Sequence, residues 1–307
     1  MPLSRSSILR GPAVITFNGA TFYSKDDIKL ITELDTFDIE ISAFGKIDER
    51  VRNRKITVSF TPSGAWTDLA TLFPYAAMPV GSSLFPTDNP LVIQTLAGSV
   101  LSFAAAAITK MPGIFLSAHK TLLGQLEFTC IGRDNTPWNF ADSAFAAGNN
   151  AFSDTGFVQS GVITQAYTVA WGVVPPWSAL STQDGVAIEF DLGLARVETD
   201  AEGLVDMTFE KLAAGAKMKP LGLTESQVLA ALALQANGAV RGRSLNTGGQ
   251  PLAINGVSGA VNVLLNGANL KTAHQLFSAT ALRIDEIAFV ATRNFSTGAP
   301  SPLFTVS

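Results

Sequence analysis

Between residues 36 and 42 the chain reads Thr-Phe-Asp-Ile-Glu-Ile-Ser, apolar and polar positions in strict alternation. Residues 56–62 (ITVSFTP) and 186–192 (VAIEFDL) alternate in the same way. Successive side chains of a strand point to opposite faces, so these stretches predict strands of antiparallel sheets packed on one side only. Phe37, Ile39 and Ile41 are expected inside, with Asp38 and Glu40 outside. Likewise Val186, Ile188, Phe190 and Leu192 are expected inside, with Glu189 and Asp191 outside. The period lengthens to that of a helix in two places. In 63–75 (SGAWTDLATLFPY) Ser63 can cap, and Trp66, Leu69, Ala70 and Phe73 share a face. In 224–238 (TESQVLAALALQANG) Thr224 and Gln227 have capping-box spacing and Gly238 is a natural stop. The predicted fold is mainly β, two β-sandwich or partial-barrel units with one flanking helix each.

The prediction of two units comes from a repeat. Residues 81–93 read GSSLFPTDNPLVI, and residues 242–254 read GRSLNTGGQPLAI. Their spacing, 242 − 81 = 161, also carries Leu84 to Leu245, Pro90 to Pro251, Ile93 to Ile254, Val100 to Val261 and Ala107 to Ala268. It holds without a gap to Leu126 on Ile287 and Phe128 on Phe289. Upstream the spacing changes but the order of elements does not. AVITFNG (13–19) matches YTVAWG (167–172), and Thr36–Ser42 matches Val186–Leu192. ITVSFTP then matches LVDMTFEK (204–211), with Phe60 on Phe209, and LAAGAKMKPLG (212–222) is an additional segment of the second unit. The domains are expected at 11–134 and 166–295, with an arm at 1–10, a linker at 135–165 and a tail at 296–307.

Composition narrows the function. A chain of 307 residues supports two domains of ordinary size. Charged residues make up only 15%, against about a quarter in an average protein, so either the core is large or other subunits cover part of the surface. A net charge of −4 argues against gripping nucleic acid by its phosphates. The single cysteine, Cys130, excludes an intrachain disulfide and a multi-cysteine metal site. The most apolar run, 96–108, is too short and too rich in small residues to span a membrane. The N-terminus lacks the continuous apolar core of a secretory signal, so synthesis and retention in a cytoplasm are expected.

Chemistry-bearing groups are sparse. His119 and His274 do not occupy equivalent positions, have no HExxH spacing and show no local pairing with Cys130. There is no phosphate-binding glycine loop followed by Lys and Ser or Thr. No enzyme activity, metal or cofactor is expected. Asp38 with Glu40, and Glu189 with Asp191, each put two carboxylates on one strand face. That pattern fits a solvated face, cation or acid–base work, or a channel wall that repels a polyanion. The densest charge cluster, Gly45–Lys55, lies between alternating strands and is expected at the tip of a long hairpin. Its Lys46, Asp48, Glu49, Arg50, Arg52, Arg54 and Lys55 mix both signs and interleave no aromatics, a poor nucleic-acid patch and a reasonable partner surface.

The order of elements resembles the tail tube proteins of long-tailed bacteriophages. The resemblance runs from GPAVITFNGATFYSKDDIKL through FDIEISAFGKIDERVRNRKITVSFTPSG and LATLFPYA to LLGQLEFTCIGR, and reaches the second unit through the repeat. It implies a β-sandwich with one flanking helix and a long hairpin reaching a neighbouring ring. It also implies six-domain rings stacked into a hollow tube through which DNA passes without specific binding. A duplicated subunit would make each ring from three chains, a trimer with pseudo-sixfold symmetry. A tape-measure protein would lie in the lumen and other tail proteins at the tube ends, with no membrane. The location implied is the virion, after synthesis in the host cytoplasm. Asp38, Glu40, Glu189 and Asp191 become lumen candidates, and the Gly45–Lys55 cluster and both tails become inter-ring contacts. The rival readings are a distal-tail, terminator or baseplate protein of related fold, and a carbohydrate-binding module using Trp138, Trp171, Pro176 and Trp177.

Overall fold

The computed structural model describes residues 13–64, 66–85, 89–95, 100–117, 120–131, 145–146, 167–172, 177–199, 203–221, 223–224, 226–227, 250–256, 261–277, 282–293 and 302–307. The fold is mainly β, built from several antiparallel sheets. In the first half the strands are β1 (Ala13–Phe17), β2 (Ala20–Ser24), β3 (Lys29–Ile41), β4 (Gly45–Phe60), β5 (Pro62–Ser63), β6 (Leu91–Thr95), β7 (Val100–Phe103), β8 (Ala105–Lys110), β9 (Ile114–Ser117), β10 (Lys120–Leu123) and β11 (Leu126–Ile131). A short β12 (Phe145–Ala146) follows. The second half has β13 (Tyr167–Trp171), β14 (Trp177–Thr199), β15 (Gly203–Leu221), β16 (Gln250–Gly256), β17 (Asn262–Phe277), β18 (Leu282–Ala291) and β19 (Phe304–Val306).

In the second half β14, β13, β16, β17, β18 and β15 pair in that order, and the β14–β15 pairing closes the circuit. Closure pairs these strands on both sides within the circuit, and β14 and β17 run beyond it to take up β9 and β19. The first half follows the same circuit with two corners opened: β12-β7-β6-β1-β2-β5 in one sheet and β3-β4-β11-β8 in the other. The chain passes between these sheets from β2 to β3 and from β7 to β8.

The ladder registers repeat between the halves. Leu30 pairs with Val58 and Ile188 with Ala216, so each strand of the second hairpin lies 188 − 30 = 158 residues after its counterpart. That offset also carries the Tyr23–Ser63 and Ser24–Pro62 pairs onto Ser181–Leu221 and Thr182–Pro220. Both β-bulges follow: Asp35/Thr36 falls on Gly193/Leu194, and Ile39/Glu40 on Val197/Glu198. Phe17 pairs with Leu91 as Trp171 pairs with Leu252, and Phe128 pairs with Ile108 as Phe289 pairs with Leu270. The spacing of 161 holds for β6 and β11, while Ile108 to Leu270 is 162, so β17 slips by one residue relative to an ungapped match.

These registers correct the upstream matches. Thr36–Ser42 answers to 194–200, not to Val186–Leu192, and Phe60 answers to Met218 rather than Phe209. LAAGAKMKPLG is no addition: through Leu221 it is part of β15, and its AGAKMKP (214–220) occupies the place of ITVSFTP.

The apolar positions form one core through both halves. Phe17 packs edge-on to Phe128 at 4.7 Å, and their counterparts Trp171 and Phe289 meet at 5.1 Å. Trp177 sits 5.1 Å from Trp171, and each large side chain buried this way contributes about 1.5–3 kcal/mol. Cys130 is buried in β11, which pushes its thiol pKa far above the usual range. The first predicted helix is short, α1 (Trp66–Leu69), followed by 3₁₀ turns at Ala70–Leu72 and Pro74–Ala76. Trp66, Leu69 and Phe73 are buried as their spacing predicts, but Ser63 belongs to β5. In the second, the Thr224 N–H donates to Gln227 Oε1 at 2.9 Å and the Gln227 N–H to Thr224 Oγ1 at 3.4 Å, the reciprocal capping box. The rest of that stretch, with Gly238, lies outside the described residues, as do the arm 1–10 and the linker apart from β12.

The first half docks on the second at three places. β9 adds to the edge of β14, with Leu116 on Val186 and Ile114 on Ile188. The 81–84 loop pairs with β15: Gly81 N–H donates to Phe209 O, Phe209 N–H to Ser82 O, and Leu84 N–H to Met207 O. Phe73 packs at a tilt against Phe190, at 5.4 Å, and Tyr75 stacks on Phe209, at 5.9 Å. The expected C-terminal tail is also built in over 302–307, where β19 pairs with β17 and Leu303 and Phe304 are buried.

Gly185 makes the β9 contact possible. Its φ is +97°, and a Cβ there would lie 2.2 Å from Leu116 O. Gly185→Ala is therefore expected to cost about 1–3 kcal/mol in denaturant unfolding, and an unchanged midpoint would contradict this account.

Candidate functional site

The surface that sets the halves apart is the first long hairpin, β3–β4. Its turn is at Ser42–Phe44, where Phe44 N–H donates to Ile41 O at 2.9 Å and Gly45 follows at φ +71°. This is a type I turn closed by a left-handed glycine, a common hairpin connection. The charge cluster expected at the tip is therefore not there. Gly45–Lys55 lies along β4 itself, where it pairs with Glu33–Ile41 through two β-bulges.

The cluster is ordered by its own contacts. Lys46 Nζ reaches Asp38 at 2.6 Å and Glu49 at 2.9 Å, and Thr36 Oγ1 donates to Glu49. The hydrogen bond to Asp38, then that to Glu49, raises the Lys46 pKa, while the Thr36 hydroxyl, then Lys46, lowers that of Glu49. Asp48 accepts from the Glu49 N–H at 2.8 Å and lies 3.4 Å from Arg50 Nε. Glu40 stands across the ladder from Lys46. Lys55 is 3.7 Å from Glu33. The side chains of Arg52 and Arg54 lie outside the described residues.

Apolar residues interleave with these charges and are uncovered. Phe44 is 82% exposed, Val51 58%, Ile47 50%, Phe37 48% and Ile41 46%. The expectation that Phe37 and Ile41 face a core fails because the hairpin projects beyond the sheet it grows from; its outer part has no layer packed over it among the described residues. The second hairpin differs. Its Leu204, Met207 and Phe209 are buried. Phe209 is the counterpart of Val51, and the first half covers it with Tyr75 and the 81–84 loop.

The other two acidic candidates lie on the base of β14. Glu189 is 2.9 Å from Lys217 and Asp191 is 3.1 Å from Lys211, with Asp184–Lys219 continuing the series at 3.3 Å. All are exposed. By register the counterpart of Asp191 is Glu33, and that of Asp38 is Arg196, so the two carboxylate pairs are not equivalent. The signal was present in the sequence: Asp26/Asp184, Glu40/Glu198, Gly45/Gly203, Asp48/Asp206 and Pro62/Pro220 all stand 158 apart.

Two of the aromatics proposed for carbohydrate binding are core residues. Trp171 and Trp177 are buried, their indole N–H groups donating to the carbonyls of Ala268 and Gln227. Trp138, Pro176 and His119, and the side chain of His274, lie outside the described residues.

Lys211→Ala breaks only an exposed ion pair and is expected to change stability by less than about 1 kcal/mol. Phe209→Ala empties a buried aromatic site and is expected to cost about 3–5 kcal/mol. Urea unfolding of the two variants side by side checks the contrast. No protein-family model matches the chain, and no curated protein matches it.

Proposed function

We propose that this chain is a structural subunit of a bacteriophage tail tube, carrying two copies of one domain and closing into rings of three chains that stack into a hollow tube. The observation that carries the reading is the uncovered hairpin of Lys29–Phe60, with Phe37, Ile41, Phe44, Ile47 and Val51 exposed on one chain. Isolated exposed apolar residues are ordinary, but a row of them on a projecting arm is a surface for association. The low charge content has its cause in the same place.

The repeated registers support the duplication. The hairpin arm and its neighbours provide the lateral and stacking contacts, a tape-measure protein occupies the lumen, and other tail proteins cap the ends. Three of the four acidic lumen candidates hold a lysine: Asp38 with Lys46, Glu189 with Lys217 and Asp191 with Lys211. A wall made of such pairs is nearly balanced, so it gives a passing polyanion little to bind. That serves passage without strong repulsion.

Negative-stain electron microscopy and solution mass of the purified chain test the reading. Rings with the mass of three chains, or tubes built from them, are expected; a monomer that persists at high concentration overturns it.

A further inference from the structure

The first half of the chain docks on a surface of the second half whose counterpart on the first half is bare among the described residues. In the second half, Val186–Ile188 of β14 receive β9, and 206–209 of β15 receive the 81–84 loop. Subtracting 158 places the corresponding acceptors at 28–30 and 48–51. Among the described residues no strand pairs with the outer side of β3, which ends its sheet, or with the outer side of β4 at 48–51. Lys29, Leu30 and Val51 are exposed there.

The second half carries the matching donors. The β9–β10 hairpin pairs Ile114 with Leu123 and Leu116 with Thr121. The distal β17–β18 hairpin pairs Gln275 with Ile284 and Phe277 with Leu282, the same register 161 residues on. So 275–277 answer to the strand 114–116 that β14 receives. By the same spacing Gly242-Arg243-Ser244-Leu245, outside the described residues, repeats Gly81-Ser82-Ser83-Leu84.

The second joint holds a polar contact within the chain. Ser83 Oγ donates to Asp206 Oδ1 at 2.9 Å, and Asp206 Oδ1 also accepts from the next N–H, Met207, at 2.7 Å. Asp48, the counterpart of Asp206, holds the same local bond to the Glu49 N–H at 2.8 Å. Residue 244, the counterpart of Ser83, is again a serine.

We propose that copies of this chain join head to tail by repeating this internal docking: 275–277 of one copy add as an antiparallel strand to 28–30 of the next. The register carries over as Ile28 to Phe277, Lys29 to Leu276 and Leu30 to Gln275. One corner differs. Gly185, which admits Leu116, is replaced by Asp27, which does not share its positive φ, so the incoming strand turns away there in its own manner. The joint is heterologous, so it generates a ring when the rotation between copies closes and an open filament when it does not. Closure rests on the ring reading above; the strand pairing does not.

Engineered cross-linking in the full chain tests the joint. Neighbours on antiparallel strands are about 4.5–5.5 Å apart at Cα, within reach of a disulfide. The buried Cys130 does not compete. Oxidation of the Lys29→Cys/Leu276→Cys double variant is expected to shift the chain on a non-reducing gel to two- and three-chain species, reversed by reductant. Either single variant, or Lys29→Cys combined with Ala273→Cys out of register, is expected to stay at one chain. A double variant that still forms rings by mass but never cross-links overturns the joint and leaves the ring reading standing. Cross-linked open chains of increasing length uphold the joint and overturn the ring reading. A wild-type chain that stays monomeric at high concentration overturns both.

Discussion

An unpaired strand edge is the constraint on which this structure turns. Backbone N–H and C=O groups along an edge are strong hydrogen-bonding groups, and a protein rich in strands must close, cover or charge them. The second half closes its circuit through β14–β15, and where β14 runs beyond β13 the first half supplies β9 as a cover. Docking of the halves is therefore sheet extension first and side-chain packing second. Phe73 and Tyr75 reach Phe190 and Phe209 from turns lying over the same extended sheet. The first half has the same edge on β3, and among the described residues no strand lies along it.

Much of the fold was legible because a strand announces itself locally. Alternation located β3, β4 and β14, and the apolar spacing over 66–73 located the short helix and its buried face. The capping box at Thr224 was readable because its two bonds span only three residues. What alternation does not contain is register or cover. Every other residue looks right at an offset of 149 or 150 as well as at 158, and the wrong choice moved Phe60 and the carboxylates onto false counterparts. Glycine, proline and acid positions would have resolved it, since Gly45/Gly203 and Pro62/Pro220 mark turn and strand end where the backbone demands them.

The candidate site was misread for a related reason. A period of two says that Phe37, Ile39 and Ile41 share a face; it does not say that anything lies against that face. Along Thr36–Ile41 the alternation is as regular as in the core, yet Phe37 and Ile41 are half exposed. The charge cluster is expected at a tip because it lies between two alternating stretches, whereas the turn is fixed by Gly45 at the start of the cluster and the charges pair across the strands. Lys46, Asp38 and Glu49 stabilise the projecting arm only modestly, since all three remain in water. Their arrangement keeps the arm soluble and extended.

The proposed duplication would give this geometry a further consequence. In a chain with one domain, every joint in an assembly would be between molecules and would form at one affinity. Here one joint lies within the chain, with its β9 strand, its 81–84 loop and its Tyr75–Phe209 contact in place. The two joints are then free to diverge. Gly185 has specialised the internal one, admitting Leu116 where a side chain would collide, while Asp27 stands at the corresponding place outside. A strand held by its own chain benefits from high effective concentration and tolerates a demanding fit. A strand arriving from another molecule has no such advantage, and an acceptor edge displayed on every free chain invites wrong partners. The charged residues interleaved along Asp38–Arg50 answer that second problem, discouraging indiscriminate pairing while leaving the backbone edge available.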